Sequence, residues 1–151
     1  MSVVVVSGGF DPLHAGHIEY IKRARKYGSS LIAIVNSDKF LDDKKGYHVM
    51  NWKDRLIIVG ELKDVDIVFP AIDIDNTVCE TLRFIRAEYP GEHIVFAKGG
   101  DRWKEEIPEA DVCKECLIEV VDGLGCKIRS SQEVINELRR NIETRVLPGV
   151  R

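Results

Sequence analysis

Val3-Val4-Val5-Val6, within residues 2–7, is an unbroken β-branched run, the pattern of a strand covered on both faces of a parallel sheet. Gly8-Gly9-Phe10-Asp11-Pro12 ends it as a loop. From about residue 16 to residue 27, Tyr20, Ile21, Ala24 and Tyr27 share one side of a helix, with Lys22, Arg23 and Lys26 largely on the other; Gly28 stops it. Residues 30–35 repeat the buried-strand pattern. Residues 37–50 are rich in Lys, Asp and Gly, show no period, and predict a mobile loop. A helix over about 52–62 leads to a short strand at 67–69, closed by Pro70. Thr77-Val78-Cys79-Glu80 has the form of a capping box opening a helix that turns Val78, Leu82 and Ile85 inward. Strands are predicted at 93–97 and 117–121. A last helix starts near Ser130 and carries Val134, Ile135, Leu138 and Ile142 inward.

Strands alternating with helices predict an α/β fold, a doubly wound, Rossmann-like five-stranded parallel sheet with helices on both faces. Ligands of such sheets sit beyond the carboxyl ends of the strands, which selects the loops after residues 7, 36, 69, 97 and 121. The 151 residues fit a single domain spanning 1–151. Lys and Arg number 22 against 25 Asp and Glu, a net charge of −3, which argues against non-specific nucleic-acid binding. The basic cluster Lys22-Arg23-Ala24-Arg25-Lys26 lies near a helix end, where cations favour the dipole, and reads as a solvated face. No apolar run approaches the roughly 20 residues of a membrane span, and the first residues lack the form of a signal peptide. The expectation is a cytoplasmic domain with neither nucleic-acid nor membrane partner. Cys113-Lys114-Glu115-Cys116 has metal-like spacing but lacks a second ligand pair, so Cys79, Cys113, Cys116 and Cys126 read as free, mostly buried thiols, with no protein metal site expected.

The chemistry concentrates after the first strand, in Gly8-Gly9-Phe10-Asp11-Pro12-Leu13-His14-Ala15-Gly16-His17. Two histidines three apart straddle a helix start, where unpaired N–H groups and a partial positive charge favour anions. Gly8, Gly9 and Gly16 leave the backbone open to close approach. Both imidazoles can donate to a phosphate whose charge grows during a displacement. The plainer reading is a histidine that caps its own helix beside an exposed one.

Phe10-Asp11-Pro12-Leu13-His14-Ala15-Gly16-His17 resembles the double-histidine signature of the cytidylyltransferase-like nucleotidyltransferases. Ala33-Ile34-Val35-Asn36-Ser37-Asp38 looks like the second strand and turn of that family. Lys98-Gly99-Gly100-Asp101 looks like a segment of the adenylyltransferases that make ADP-heptose, and Arg129-Ser130-Ser131 is similar to the family's second signature at a helix start. The similarity covers roughly residues 3–138. It implies in-line attack of an acceptor phosphate on the α-phosphorus of a nucleoside triphosphate, with release of pyrophosphate. Positioning and charge stabilisation dominate such chemistry.

On this resemblance His14 and His17 hold the triphosphate and stabilise the reacting phosphate, and Arg129 and Ser130 act on the leaving group. Gly8, Gly9, Phe10, Asp11, Gly16, Lys44, Lys45, Gly99, Asp101 and Ser131 contact the nucleotide or its phosphates. Arg55, Lys98, Gly100, Arg102 and Trp103 face the acceptor. Asp11 is a candidate for positioning a histidine or a metal-bound water. Either Lys44 or Lys45 grips phosphate. Magnesium accompanies the triphosphate, and a homodimer is expected. The resemblance implies adenylyl transfer to a sugar phosphate. Asp101-Arg102-Trp103 also looks like part of the glycerol-3-phosphate cytidylyltransferases, so CTP and a polyol phosphate stay open. The rivals of other classes are a nucleotide-sensing module without catalysis and a fragment of a class I tRNA synthetase.

Overall fold

The computed structural model describes residues 2–99, 107–124 and 131–146. Five parallel strands form one sheet: β1 (Ser2–Gly8), β2 (Ser30–Val35), β3 (Ile67–Pro70), β4 (His93–Ala97) and β5 (Glu119–Val121), in the order β3-β2-β1-β4-β5. Val3 lies opposite Ser30 and Val6 opposite Ala33, while Ser2 on the other side of β1 faces His93. The chain winds outward from β1 to β3, then returns to place β4 against β1. That reversal opens a crevice between the carboxyl ends of β1 and β4, the position where doubly wound sheets bind ligands.

Alternation along β1 explains its uninterrupted valines. Val3 and Val5 enter one core with Ile32, Ile34, Ile94 and Phe96. That core is covered by Leu82 and Ile85 of α4 (Cys79–Glu88) and by Val112 and Cys113 of α5 (Ala110–Glu115). Val4 and Val6 enter the opposite core with Leu31, Ala33, Val35 and Val95. Ile21 and Ala24 of α1 (Ala15–Ala24) and Val59 of α3 (Trp52–Gly60) cover this face. A strand without a solvent face has no use for polar alternation.

Three elements depart from expectation. Residues 37–50 are not a featureless loop: α2 (Asp38–Lys45) occupies most of them. It is capped by the Ser37 hydroxyl accepting from the Phe40 N–H at 3.1 Å and ends at Gly46 with φ 83°. The Thr77 capping box does not form. The Thr77 hydroxyl is engaged with Asp75, while Asp73 accepts from the Glu80 and Thr81 amides at 2.7 and 3.1 Å and so caps α4 from outside the box. The final helix, α6 (Ser131–Val146), does not bury its whole apolar stripe: Leu138 and Ile142 are 56% and 57% exposed. Cys113 is buried, Cys79 and Cys116 are partly covered, all three are free thiols, and burial pushes the Cys113 thiol up to about 12. Cys126 lies outside the described residues. No helix among those residues is long and apolar enough to cross a membrane.

Candidate active site

His14 is the N-cap of α1, in extended backbone at φ −146° and ψ 176°. Its Nδ1 accepts from the Gly16 N–H at 3.0 Å, and Nδ1 of His17 accepts from the His14 N–H at 3.2 Å. The rings stack with centroids 3.9 Å apart. The helix-capping reading is therefore correct for His14, and it does not compete with phosphate binding. Nδ1 used as an acceptor puts the proton of the neutral ring on Nε2. Burial, then the neighbouring His14 and Lys45, push His17 down from 6.5 to about 3, so the ring is neutral near pH 7. Phe10, buried at φ 52°, sets its ring against His17 at a centroid distance of 5.0 Å. The Phe10 side chain belongs to the core, so only its backbone is left for a nucleotide.

The side-chain hydrogen bonds of Asp11 go to the backbone of the 47–50 loop and not to a histidine. Both of its buried oxygens are occupied, Oδ2 by the Val49 N–H at 2.6 Å and Oδ1 by the Met50 N–H at 2.7 Å. Lys45 donates to the Asp11 carbonyl at 3.0 Å and lies 3.5 Å from its carboxylate. Arg55 is likewise corrected. Fully buried, it donates to the carbonyls of Met50 (2.9 Å), Gly9 (3.0 Å) and Asn36 (2.5 Å), and it pairs with the Asp38 carboxylate at 2.6 Å. With four of its five N–H donors on those groups, it ties loops together and has no exposed face to offer an acceptor phosphate. A carboxylate and a guanidinium so satisfied are fold-specifying parts of the site's walls.

Lys44 and Lys45, indistinguishable in sequence, separate by geometry. Lys45 is held by Asp11 beneath the histidines, whereas Lys44 stands on the exposed side of α2 and lines a cavity beside the crevice. Lys98 lines the same cavity from the end of β4, with its ammonium 5.4 Å from the Phe96 ring centroid. Gly9 and Gly99 sit close against side chains. A Cβ on Gly9 would stand 2.6 Å from Leu41, and one on Gly99 would stand 3.0 Å from the Tyr20 ring. Gly8 lines the cavity, and Gly16 lies in the first turn of α1. Ser131, opening α6, donates to the Pro12 carbonyl at 3.1 Å, which brings the second signature against the first. Gly100, Asp101, Arg102, Trp103, Arg129 and Ser130 lie outside the described residues.

Three residues of the site escape sequence reasoning. Tyr20 reads as one more apolar position of a helix, yet its hydroxyl donates to the Ala97 carbonyl at 2.5 Å, and burial raises its pKa. Asn36 and Glu109 line the cavity across the crevice. Asn36 lies in the Ala33–Asp38 segment likened above to the family's second strand and turn, without a role drawn from it, and Glu109 carries no sequence signal of its own.

Comparison with known proteins places this geometry. A family model described as cytidylyltransferase-like matches residues 5–137, and the chain belongs to that family. Among curated relatives, Bifunctional protein HldE of Aliarcobacter butzleri is 32% identical over 142 residues, covering 92% of this chain and 27% of the relative. That of Citrobacter koseri is 39% identical over 107 residues, covering 70% of this chain and 21% of the relative. The chain thus spans about a quarter of the length of these relatives. Two solved structures share the fold. One is a lipopolysaccharide core biosynthesis protein from Thermoplasma volcanium (TM-score 0.68, 24% identity, 85% of this chain and 99% of the other). The other is a putative nicotinate-nucleotide adenylyltransferase from Vibrio parahaemolyticus (TM-score 0.64, 19% identity, 93% and 88%).

Proposed function

We propose that this protein is a nucleotidyltransferase that moves the adenylyl group of ATP onto the phosphate of a sugar phosphate. An oxygen of the acceptor phosphate attacks the α-phosphorus in line, the bond to the oxygen bridging to the β-phosphate breaks, and pyrophosphate departs; magnesium accompanying the triphosphate would supply further neutralisation of its charge. No general base is required, because the attacking phosphate is already ionised. The residues position and stabilise charge. His14 and His17 donate through Nε2 to the reacting phosphate from the N-terminus of α1, where the helix dipole adds to the attraction. Lys45 supplies positive charge from beneath, and Arg129, Ser130 and Ser131 engage the leaving pyrophosphate. Lys44 and Lys98 face the acceptor.

The observation that carries this reading is the stacked, Nδ1-locked histidine pair at a helix start beside the β1–β4 crevice. The choice of ATP and a sugar phosphate rests on the Lys98-Gly99-Gly100-Asp101 resemblance and on the similarity to the HldE proteins.

A pyrophosphate-release assay tests it, with ATP or CTP and magnesium against hexose-1-phosphates, glycerol-3-phosphate and pantetheine phosphate. The expected outcome is release with ATP and a sugar phosphate, reduced by about a hundredfold or more in His17→Ala. Release with CTP and glycerol-3-phosphate alone would replace the proposal by polyol-phosphate cytidylyl transfer. Nucleotide-induced thermal stabilisation without release from any pair would leave nucleotide binding and remove the transfer.

A further inference from the structure

The two ladders of β1 do not end together. Toward β2 the register runs on to Gly8 opposite Val35, but toward β4 it stops at Val5 opposite Phe96. Ala97, the last residue of β4, lies past that stop and keeps its register on the β5 side, opposite Val121. The crevice begins in this gap, and one side chain is set into it. The Tyr20 hydroxyl donates to the Ala97 carbonyl, and the Ser7 backbone of β1 is a second hydrogen-bonding neighbour of the same oxygen. The phenol thus joins β1 to β4 where the ladder between them has ended.

The ring reaches a further partner. A Cβ on Gly99 would lie 3.0, 3.3 and 3.3 Å from three of its atoms, so the turn after β4 rests directly on the ring. Tyr20 also follows His17 by one turn of α1, and residues three apart share a side of a helix. Packing of the helix does not demand this arrangement. Ile21 and Ala24 already bury α1 against the sheet, and a leucine or phenylalanine at position 20 would add apolar area as well as tyrosine does. The hydroxyl has a use only across the gap. A phenol is a flat spacer with few torsions, so it holds a distance that a long flexible side chain would not. On one side of that distance stands the helix whose first turn carries the histidine pair. On the other is the turn that opens Lys98-Gly99-Gly100-Asp101, likened above to a segment of the ADP-heptose adenylyltransferases.

Resting on the transfer reaction above, we propose that Tyr20 is a positioning residue: its phenol sets the separation between the histidine helix and the turn after β4, and with it the seat of a nucleoside triphosphate lying across the crevice. Tyr20 touches no reacting atom. It acts through α1 on one side and through Ala97 and Gly99 on the other. In-line transfer is sensitive to such spacing, since a misplacement of about 1 Å can cost roughly a hundredfold in rate.

Two measurements test this, one with turnover and one without. Tyr20→Phe keeps the ring beneath Gly99 and removes the bridge to Ala97. In the pyrophosphate-release assay it is expected to lower kcat at least about tenfold while KM for the nucleotide changes less than about twofold. Calorimetric titration with α,β-methylene-ATP or its CTP counterpart counts the folded sites, so that kcat is taken per competent molecule. An unchanged kcat, or a loss confined to KM, overturns the proposal. The second measurement uses the contact with Gly99. Gly99→Ala drives a methyl onto the ring, and Tyr20→Leu takes the ring away. Each alone is expected to weaken the bound analogue at least about fivefold, and the double variant to bind at least about fivefold more tightly than the product of the two losses. Losses that simply multiply, single variants that bind as the wild type does, or a wild type that binds neither analogue overturn it. Failure of the transfer reading is separate. Coupled losses in analogue binding, with no pyrophosphate from any pair, keep Tyr20 as the residue that seats the nucleotide and remove the chemistry. Turnover at full kcat in Tyr20→Phe keeps the chemistry and removes the positioning.

Discussion

His17 is at once a packing residue and a chemical one, and its protonation connects the two roles. Its folded pKa of about 3 lies below the ordinary 6.5, so between those values the unfolded chain binds a proton that the folded chain refuses. The stability tied to the neutral ring is present above pH 6.5 and is lost as pH falls toward 3. Between pH 7 and pH 4, the wild type should therefore lose about 5 °C more in Tm than His17→Asn. Parallel Tm-against-pH curves would refute this. The residue scale is also where sequence reading misassigns most. Asp11 and Arg55 were both expected to meet ligand, because a charged residue in a site loop looks free in one dimension. What disposes of their charge is three distant loops, 47–50, 8–9 and 36–38, whose approach is a property of the tertiary fold.

At the scale of elements, the strands were legible because burial on both faces writes itself as a continuous apolar run, whereas their order in the sheet was not. The helices that were missed lack the corresponding period. In α2 only Phe40 and Leu41 are apolar, too few for a stripe, although its ends are marked by Ser37, Asp38, Lys44, Lys45 and Gly46. Caps alone identify it. At α4 the reverse holds: a good local box was outcompeted by Asp73, which the path after β3 brings to the helix start. The link between α1 and β4 is the hydroxyl of Tyr20, which spans both sides of the crevice. Tyr20→Phe should lower unfolding free energy by about 1 kcal/mol in urea titration with an unchanged slope. An unchanged midpoint would show that this bond contributes nothing.

For the whole molecule, α6 matters twice. Its start touches the site through Ser131 on Pro12 and through the Tyr47 hydroxyl donating to Gln132 at 3.0 Å. Further along, Leu138 and Ile142, four residues apart, leave an apolar strip uncovered. The homodimer implied by family resemblance would cover that strip. Sedimentation of the wild type at tens of micromolar is expected to give a dimer and of Leu138→Glu a monomer. A monomeric wild type would discard the dimer.

Arg55 has a consequence for how the molecule moves. One guanidinium grips the backbone of the histidine loop at Gly9, the strand-end turn at Asn36 and the 47–50 loop at Met50, while Asp38 holds the guanidinium itself. None of these segments can open without breaking bonds to a group the others also hold, so they should unlock together, as one cooperative unit. In native-state hydrogen exchange the amides of Asn36, Val49 and Met50 should share a single opening free energy. Arg55→Lys, with fewer donors and no fork, should split it into separate, lower ones. A nucleotide arriving at this site would meet walls that are either all in place or all absent, and the entropy of assembling them has been met in folding.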